Sequence, residues 1–442
     1  MTFLRKIIFV AGAVLMVSAP LSAGAVEVKK VTSPSGIMAL LVEDHLNPII
    51  SVSFAFRGGA ALDPEGKEGL ASMVSGLLDE GAGGLDSQSF QRRLEDLSMT
   101  LRYDAGRDAF SGRMRTLSKH RHEAFDLLRM SLTAPHFDEQ PVARIRSQIL
   151  SGLRRKSEDP GDIAQRTLIK NLFPGHVYGR PVDGTLVSVA AITSQDLKEF
   201  VSERLSRENL VVGVVGDIAP GELAAFLEKT FGKLPEKAKP WNIPEISPQG
   251  LGRTMVIRKP VPQSTIVFAQ KGLKRNDSDF YTAYVLNYIL GGGGFTSRLY
   301  DQVREKRGLA YSVYSSLSPL DHTALIVGGA GTANERVSET LKVIREQWRL
   351  MAEKGVTEAE ITDAKTYLTG SFPLRFTSSQ RIAGMLVGMQ LDNLGIDYLA
   401  RRNAYIEAVT LDDVNRLARS LIDSEKLLTI VVGEPKNVTT TN

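Results

Sequence analysis

Arg304 and Tyr311 share the string REKRGLAY, residues 304–311. The first presents a rigid fork of five N–H donors and the second a phenol hydroxyl, so both can donate to one oxygen. Two fixed donors around a carbonyl stabilise the negative charge that develops on its oxygen during acyl transfer. The surrounding residues say how the pair is positioned. Gly308 stops a short basic helix, after which Leu309, Tyr311 and Val313 alternate with Ala310, Ser312 and Tyr314 as in a strand. Upstream, Gly291, Gly292, Gly293 and Gly294 end an apolar helix expected near 277–290. The pair is therefore expected on either side of a tight helix-to-strand turn. The glycine run reads as a helix stop with a flexible turn; the Lys-Ser/Thr ending of a phosphate-binding loop is missing.

A chain of 442 residues is too long for one ordinary core, and two domains or more are expected. With 43% hydrophobic and 24% charged residues it reads as soluble and globular rather than disordered. The net charge of +4 is too small for a nucleic-acid footprint, and no basic run with interleaved aromatics occurs. The N-terminus reads as a secretory signal over 1–25: Arg5 and Lys6, an apolar run from Ile7 to Val17, Pro20, then Ala23-Gly24-Ala25. That run is too short to serve as a stable membrane anchor, and the absence of cysteine rules out a disulfide framework or a lipid on cysteine. An exported protein is expected, periplasmic where the host has two membranes.

The mature chain divides at residues 235–252, where Pro235, Pro240, Pro244, Pro248, Gly250 and Gly252 mark a linker. The first half, 26–234, opens with strands over 38–45 and 50–59, continues through helices near 65–78, 88–98, 119–133, 139–157, 160–172 and 194–205, and closes with a strand over 210–218 and a helix to Phe231. The second half, 253–442, opens with strands over 254–259 and 264–272. After the glycine turn it has a strand over 324–331, helices near 333–354, 357–369, 377–394, 396–406 and 411–422, and a closing strand over 427–435. One order of elements used twice implies a duplicated α+β unit, each copy a mixed or antiparallel sheet packed with helices.

The repeat, the linker, GGGGFTSRLY at 291–300 and REKRGLAY together resemble the insulinase/pitrilysin family of zinc metallopeptidases, in particular its shorter members of two homologous domains. PGHVYGRPVDGT at 174–185 and VVGDI at 214–218 are similar to strings those proteins carry in the same order. The resemblance implies two homologous domains forming half of a clamshell. Active members carry H-x-x-E-H on the first long helix and a distal glutamate, because two imidazoles at i and i+4 share one helix face while the glutamate activates water. Here Ser72, Ser75 and Gly76 stand at the two histidines and the glutamate of the motif, and Ser151 and Gly152 where the distal glutamate belongs. None of these is a good zinc ligand, so no metal and no cofactor is expected in this chain. Glu68 and Asp79 fall on the same face of the expected helix, where solvated carboxylates are the plain reading and a weak cation site the sharper one. His120 and His122, two apart, read as a solvated helix start, and His176 as a loop residue.

The resemblance further implies that Arg304 and Tyr311 face a zinc site across a chamber and bind the peptide carbonyl. It also implies that Gly291 to Gly294 form a mobile lip of that chamber, as in the non-catalytic subunit of mitochondrial processing peptidase. The expected function is a non-catalytic, peptide-binding subunit of a heterodimeric exported metallopeptidase. Its homologous partner would carry H-x-x-E-H and the zinc, and this chain would supply Arg304 and Tyr311 in trans to unfolded peptides. The alternatives are a scaffold protein without a peptidase role and a stand-alone hydrolase with a rebuilt site.

Overall fold

The computed structural model describes residues 27–441, and the signal-sequence reading over 1–25 lies outside them. Six strands make the first sheet: β1 (Lys29–Thr32), β2 (Met38–Glu43), β3 (Ile49–Arg57), β4 (Thr100–Ala105), β5 (Ala109–Leu117) and β6 (Leu210–Gly216). Five make the second: β7 (Thr254–Arg258), β8 (Gln263–Lys271), β9 (Ala310–Leu320), β10 (Thr323–Ala333) and β11 (Leu428–Gly433). The orders are β1-β2-β6-β3-β5-β4 and β7-β11-β8-β10-β9. Apart from β1 they are one topology. In each, the last strand of the half inserts between the first two, parallel to one and antiparallel to the other. Two mixed sheets packed with helices thus give the duplicated α+β fold.

Each sheet buries one face against helices of its own half. Ile50, Val52, Phe54 and Phe56 of β3 enter the first core with Met73, Leu77 and Phe90. Ile266 and Phe268 of β8 enter the second with Trp348, whose indole N–H donates to Gln270 Oε1 at 2.8 Å. The opposite faces are covered by exchange. The Pro160–Leu172 helix of the first half lays Ala164, Leu168 and Leu172 on Val267, Ala269, Ile430 and Val432 of the second sheet. In return the Ser379–Leu391 helix lays Ile382, Ala383 and Leu386 on Leu40, Val42 and Val215 of the first sheet. Gly213 permits the approach, since a Cβ there would come within 2.5 Å of the Ala383 carbonyl oxygen. β3 is consequently buried on both faces, and its outer Ser51 and Ser53 find partners in Ser379 (2.9 Å) and Gln380 (2.9 Å). Packing therefore crosses the boundary that the linker marks in the sequence.

Residues 235–252 contain neither helix nor strand, yet they are tied down: Ile246 N–H donates to the His322 carbonyl and Gln249 N–H to that of Leu172. A second junction clamps the halves. Tyr178 is fully buried, its hydroxyl donating to Asp108 and accepting from the His322 N–H of the β9–β10 turn.

Two local expectations change. Residues 99–117, read as no particular element, form the β4–β5 hairpin. The helix expected over 65–78 is confined to Leu70–Ser75. Its start is fixed by Asp63, whose carboxylate accepts from the N–H groups of Gly69 (3.0 Å) and Ala71 (3.1 Å), with Gly69 in the left-handed region.

Candidate functional site

The apolar helix of the second half runs from Phe280 to Asn287 and widens into a π-turn over Tyr288–Gly292. Gly291 is buried there against β9: a Cβ would lie 2.5 Å from Ser315 Oγ and 2.7 Å from Leu299 Cδ1. Asn287 and Ser315 lock the same contact, Ser315 Oγ donating to Asn287 Oδ1 at 2.8 Å in a buried setting. Gly293 N–H returns to the Tyr288 carbonyl at 2.8 Å. Gly291 is thus close-packed at the helix end, whereas Gly292 and Gly294 are exposed and a Cβ on Gly294 would meet open space. What projects is Phe295, which is exposed and sets its ring edge-on to Tyr300 at 4.8 Å.

Arg304 lies on a second π-turn, Tyr300–Glu305, and Gly308 in the left-handed region turns the chain into β9. Within β9, Ala310 pairs with Thr332 and Ser312 with Gly331, so Tyr311 is the extra residue of a β-bulge. Bulges re-aim side chains and sit near functional sites more often than chance allows. Here the bulge leaves Tyr311 79% exposed. The structure brings the two residues together: the Arg304 guanidinium carbon lies 5.0 Å from the Tyr311 ring centre and 4.8 Å from that of Tyr300. Each such contact contributes about 0.5–1 kcal/mol at an exposed site. Among the described residues the guanidinium has no hydrogen-bond acceptor; Glu305 is nearest, 3.9 Å from Nε. Its N–H groups remain available to a ligand. Tyr300, four residues before Arg304, went unnoticed in the sequence, although that spacing is a signal for contact along a helix.

The helix that would carry a metal motif offers nothing comparable. Ser75 spends its hydroxyl on the Ser72 carbonyl at 2.8 Å. At Gly76 a Cβ would lie 3.2 Å from Ile145 Cγ2, on the Glu139–Glu158 helix that also carries Gly152. Zinc requires imidazole, thiolate or carboxylate, and Ser72, Ser75, Gly76, Ser151 and Gly152 bring none, so the residues do not fit the ion. Among the described residues no three His, Cys, Asp or Glu side chains converge in a way that could hold a metal. Glu68 and Asp79 do not share a helix face, because the helix starts after one and stops before the other. Glu68 turns to Arg180 at 4.0 Å, and the buried Asp79 faces Arg102 at 3.8 Å. His176 ties its own loop to residues 235–252, with Nδ1 accepting from Tyr178 N–H (3.1 Å) and Nε2 donating to the Pro244 carbonyl (3.1 Å). His122 rests on Phe226, ring centres 5.0 Å apart.

Burial pushes the Asp63 carboxyl up to about 7, although the Gly69 and Ala71 N–H groups and Arg204 pull it down. A raised carboxyl pKa means that the folded state holds the proton longer than the unfolded one. The stabilisation from this group is complete below its ordinary value of 3.8 and is lost as pH rises through about 7. Urea unfolding of the wild type and Asp63→Asn across that interval is expected to show the wild type losing stability relative to the variant, with parallel curves above it.

Comparison with known proteins places the chain. Residues 191–368 match the family described as the peptidase M16 inactive domain. A non-peptidase homologue, YmxG of Helicobacter pylori, is 30% identical over 338 residues, spanning 75% of this chain and 77% of the relative. An uncharacterized zinc protease of Streptomyces coelicolor, SCO5738, is 30% identical over 317 residues, 70% of this chain and 68% of the relative. The crystal structure of a peptidase M16 inactive domain from Pseudomonas fluorescens superposes with a TM-score of 0.86 at 28% identity, covering 93% of this chain and 99% of that one. A protease from Helicobacter pylori shares the fold, with a TM-score of 0.83 at 19% identity. With its duplicated sheets, its REKRGLAY turn and a relative this similar along three quarters of its length, the chain belongs to the peptidase M16 family, the insulinase/pitrilysin peptidases.

Proposed function

We propose that this chain is the non-catalytic, substrate-holding subunit of an exported two-chain zinc metallopeptidase. Its partner is a homologous M16 chain bearing H-x-x-E-H, which contributes the metal and the activated water. This chain contributes Arg304 and Tyr311 in trans, toward the carbonyl oxygen of an unfolded peptide lying in a shared chamber. One observation carries the reading: the helix that should bind zinc has no ligands, while the Arg304 guanidinium lies within 5.0 Å of two tyrosine ring centres with its N–H groups unspent. A scaffold would gain nothing from an exposed, bulge-mounted tyrosine set beside an arginine with no hydrogen-bond acceptor of its own. The test is hydrolysis of an unfolded peptide by a zinc-bearing M16 protein exported by the same cell, alone and mixed with this chain. Addition of the wild-type chain is expected to raise the rate and addition of Arg304→Ala to leave it near that of the partner alone. Equal stimulation by both would refute the in-trans role.

A further inference from the structure

Beside the Arg304–Tyr311 pair lies a cleft of about 440 Å³, bordered by Gln263, Glu305, Thr332 and Arg336. Its remaining walls include Gly308, Ala310, Gly331 and Ala333, small residues that leave room for a main chain. Two cations and one acid border it. The acid, Glu305, is more than half exposed and stands beyond hydrogen-bond distance of Arg304. Arg336 gives one Nη to the Gly308 carbonyl and keeps its other donors. Tyr311, the extra residue of the bulge, has no partner across the ladder. The result is a positive recess in which the Arg304 guanidinium lies beside the Tyr300 and Tyr311 rings with its N–H donors unspent.

A guanidinium with unspent N–H donors is matched by an acceptor with two coplanar oxygens. A neutral peptide carbonyl offers one oxygen and no charge, whereas a carboxylate accepts two parallel N–H bonds, each strengthened by charge. We infer that the cleft is a receptor for peptide ends bearing a free α-carboxylate. Such an end is also what hydrolysis makes: water adds its oxygen to the scissile carbonyl carbon, the C–N bond breaks, both water protons end on the amine, which leaves as an ammonium, and the former carbonyl becomes a carboxylate. The inference rests on the proposed function for the use made of the cleft, namely retention of the N-side product and competition with new substrate. The binding itself requires no partner. Capture of a terminal carboxylate by a preformed donor set is a recurring mode of peptide recognition.

The experiment uses the isolated full-length mature chain at neutral pH and low salt. Fluorescein-labelled hexaalanine with a free C-terminus is titrated against the same peptide as its C-terminal amide, by fluorescence anisotropy. The acid is expected to bind at least about tenfold more tightly than the amide. In Arg304→Lys, which keeps the charge but loses the fork and the stacking, that preference should vanish. Equal affinity of acid and amide, no measurable binding of either, or a preference that survives in Arg304→Lys would each overturn the inference. The partner is absent from the assay, so its failure leaves the in-trans reading standing, and a failure of that reading leaves carboxylate binding to be judged by itself.

Discussion

Expressed as separate polypeptides, residues 27–234 and 253–441 are expected to be insoluble or molten, and to yield folded protein only when produced together. The reason is the exchange of helices. Cut apart, the first half loses the cover of Ile382, Leu386 and Met389, and the second loses that of Leu168, Leu172 and Phe173. Burying one large apolar side chain is worth about 1.5–3 kcal/mol, so six of them amount to roughly 10 kcal/mol or more. That rivals the entire net stability of an ordinary domain. The buried Tyr178–Asp108 hydrogen bond and its link to the His322 N–H would also be broken. Dye binding by exposed apolar surface and the loss of a cooperative thermal transition would report the molten state. A sharp, independent melt of either half alone would show that the exchanged helices are dispensable.

The second large effect concerns the mixed peptidase. With Arg304→Ala in the mixture, kcat and kcat/KM for an unfolded peptide are expected to fall together by about 10²-fold or more, the usual consequence of removing a preorganised donor to an oxyanion. Arg304→Lys should recover little, since an ammonium lacks both the planar fork and the stacking that Tyr300 and Tyr311 impose. Tyr311→Phe keeps the ring under the guanidinium and deletes only the hydroxyl. Its loss should therefore be smaller than that of Arg304→Ala and should fall on kcat rather than KM. Stopped-assay kinetics at several substrate concentrations separate these cases. A variant that raised KM alone would have removed ordinary substrate binding instead.

Much of this was legible in the sequence, for identifiable reasons. LVVGVVGDI and LLTIVVGEP are continuous apolar runs, and both prove to be central strands covered on two sides, β6 and β11. The helix-to-strand turn at Gly308 was marked by the change from a charged helix to strict alternation. The β4–β5 hairpin was missed because Arg102, Asp104, Arg113 and Arg115 give it a polar look. The inward set Leu101, Phe110 and Met114 was nevertheless alternating, and the duplication demanded a counterpart to β9–β10. Glu68 and Asp79 misled because an apolar stripe was extended past residues whose glycines and Asp63 confine the helix to one and a half turns. Within the glycine run the reasons differ by position: Gly291 is glycine because Ser315 and Leu299 leave no space, whereas Gly294 takes a left-handed turn in the open. The exchange of helices between halves left no local mark at all. An amphipathic helix shows which of its faces is buried, and nothing about which sheet buries it.

The central claim is that this chain grips a peptide bond and cannot cleave it unaided. Its most direct test is the metal content and peptidase activity of the chain purified free of its relatives. Zinc well below one equivalent, removable without effect on folding, and no cleavage of an unfolded peptide are the results expected from a helix bearing Ser72, Ser75 and Gly76 in place of ligands. Stoichiometric, tightly held zinc together with chelator-sensitive cleavage by the solitary chain would contradict the account.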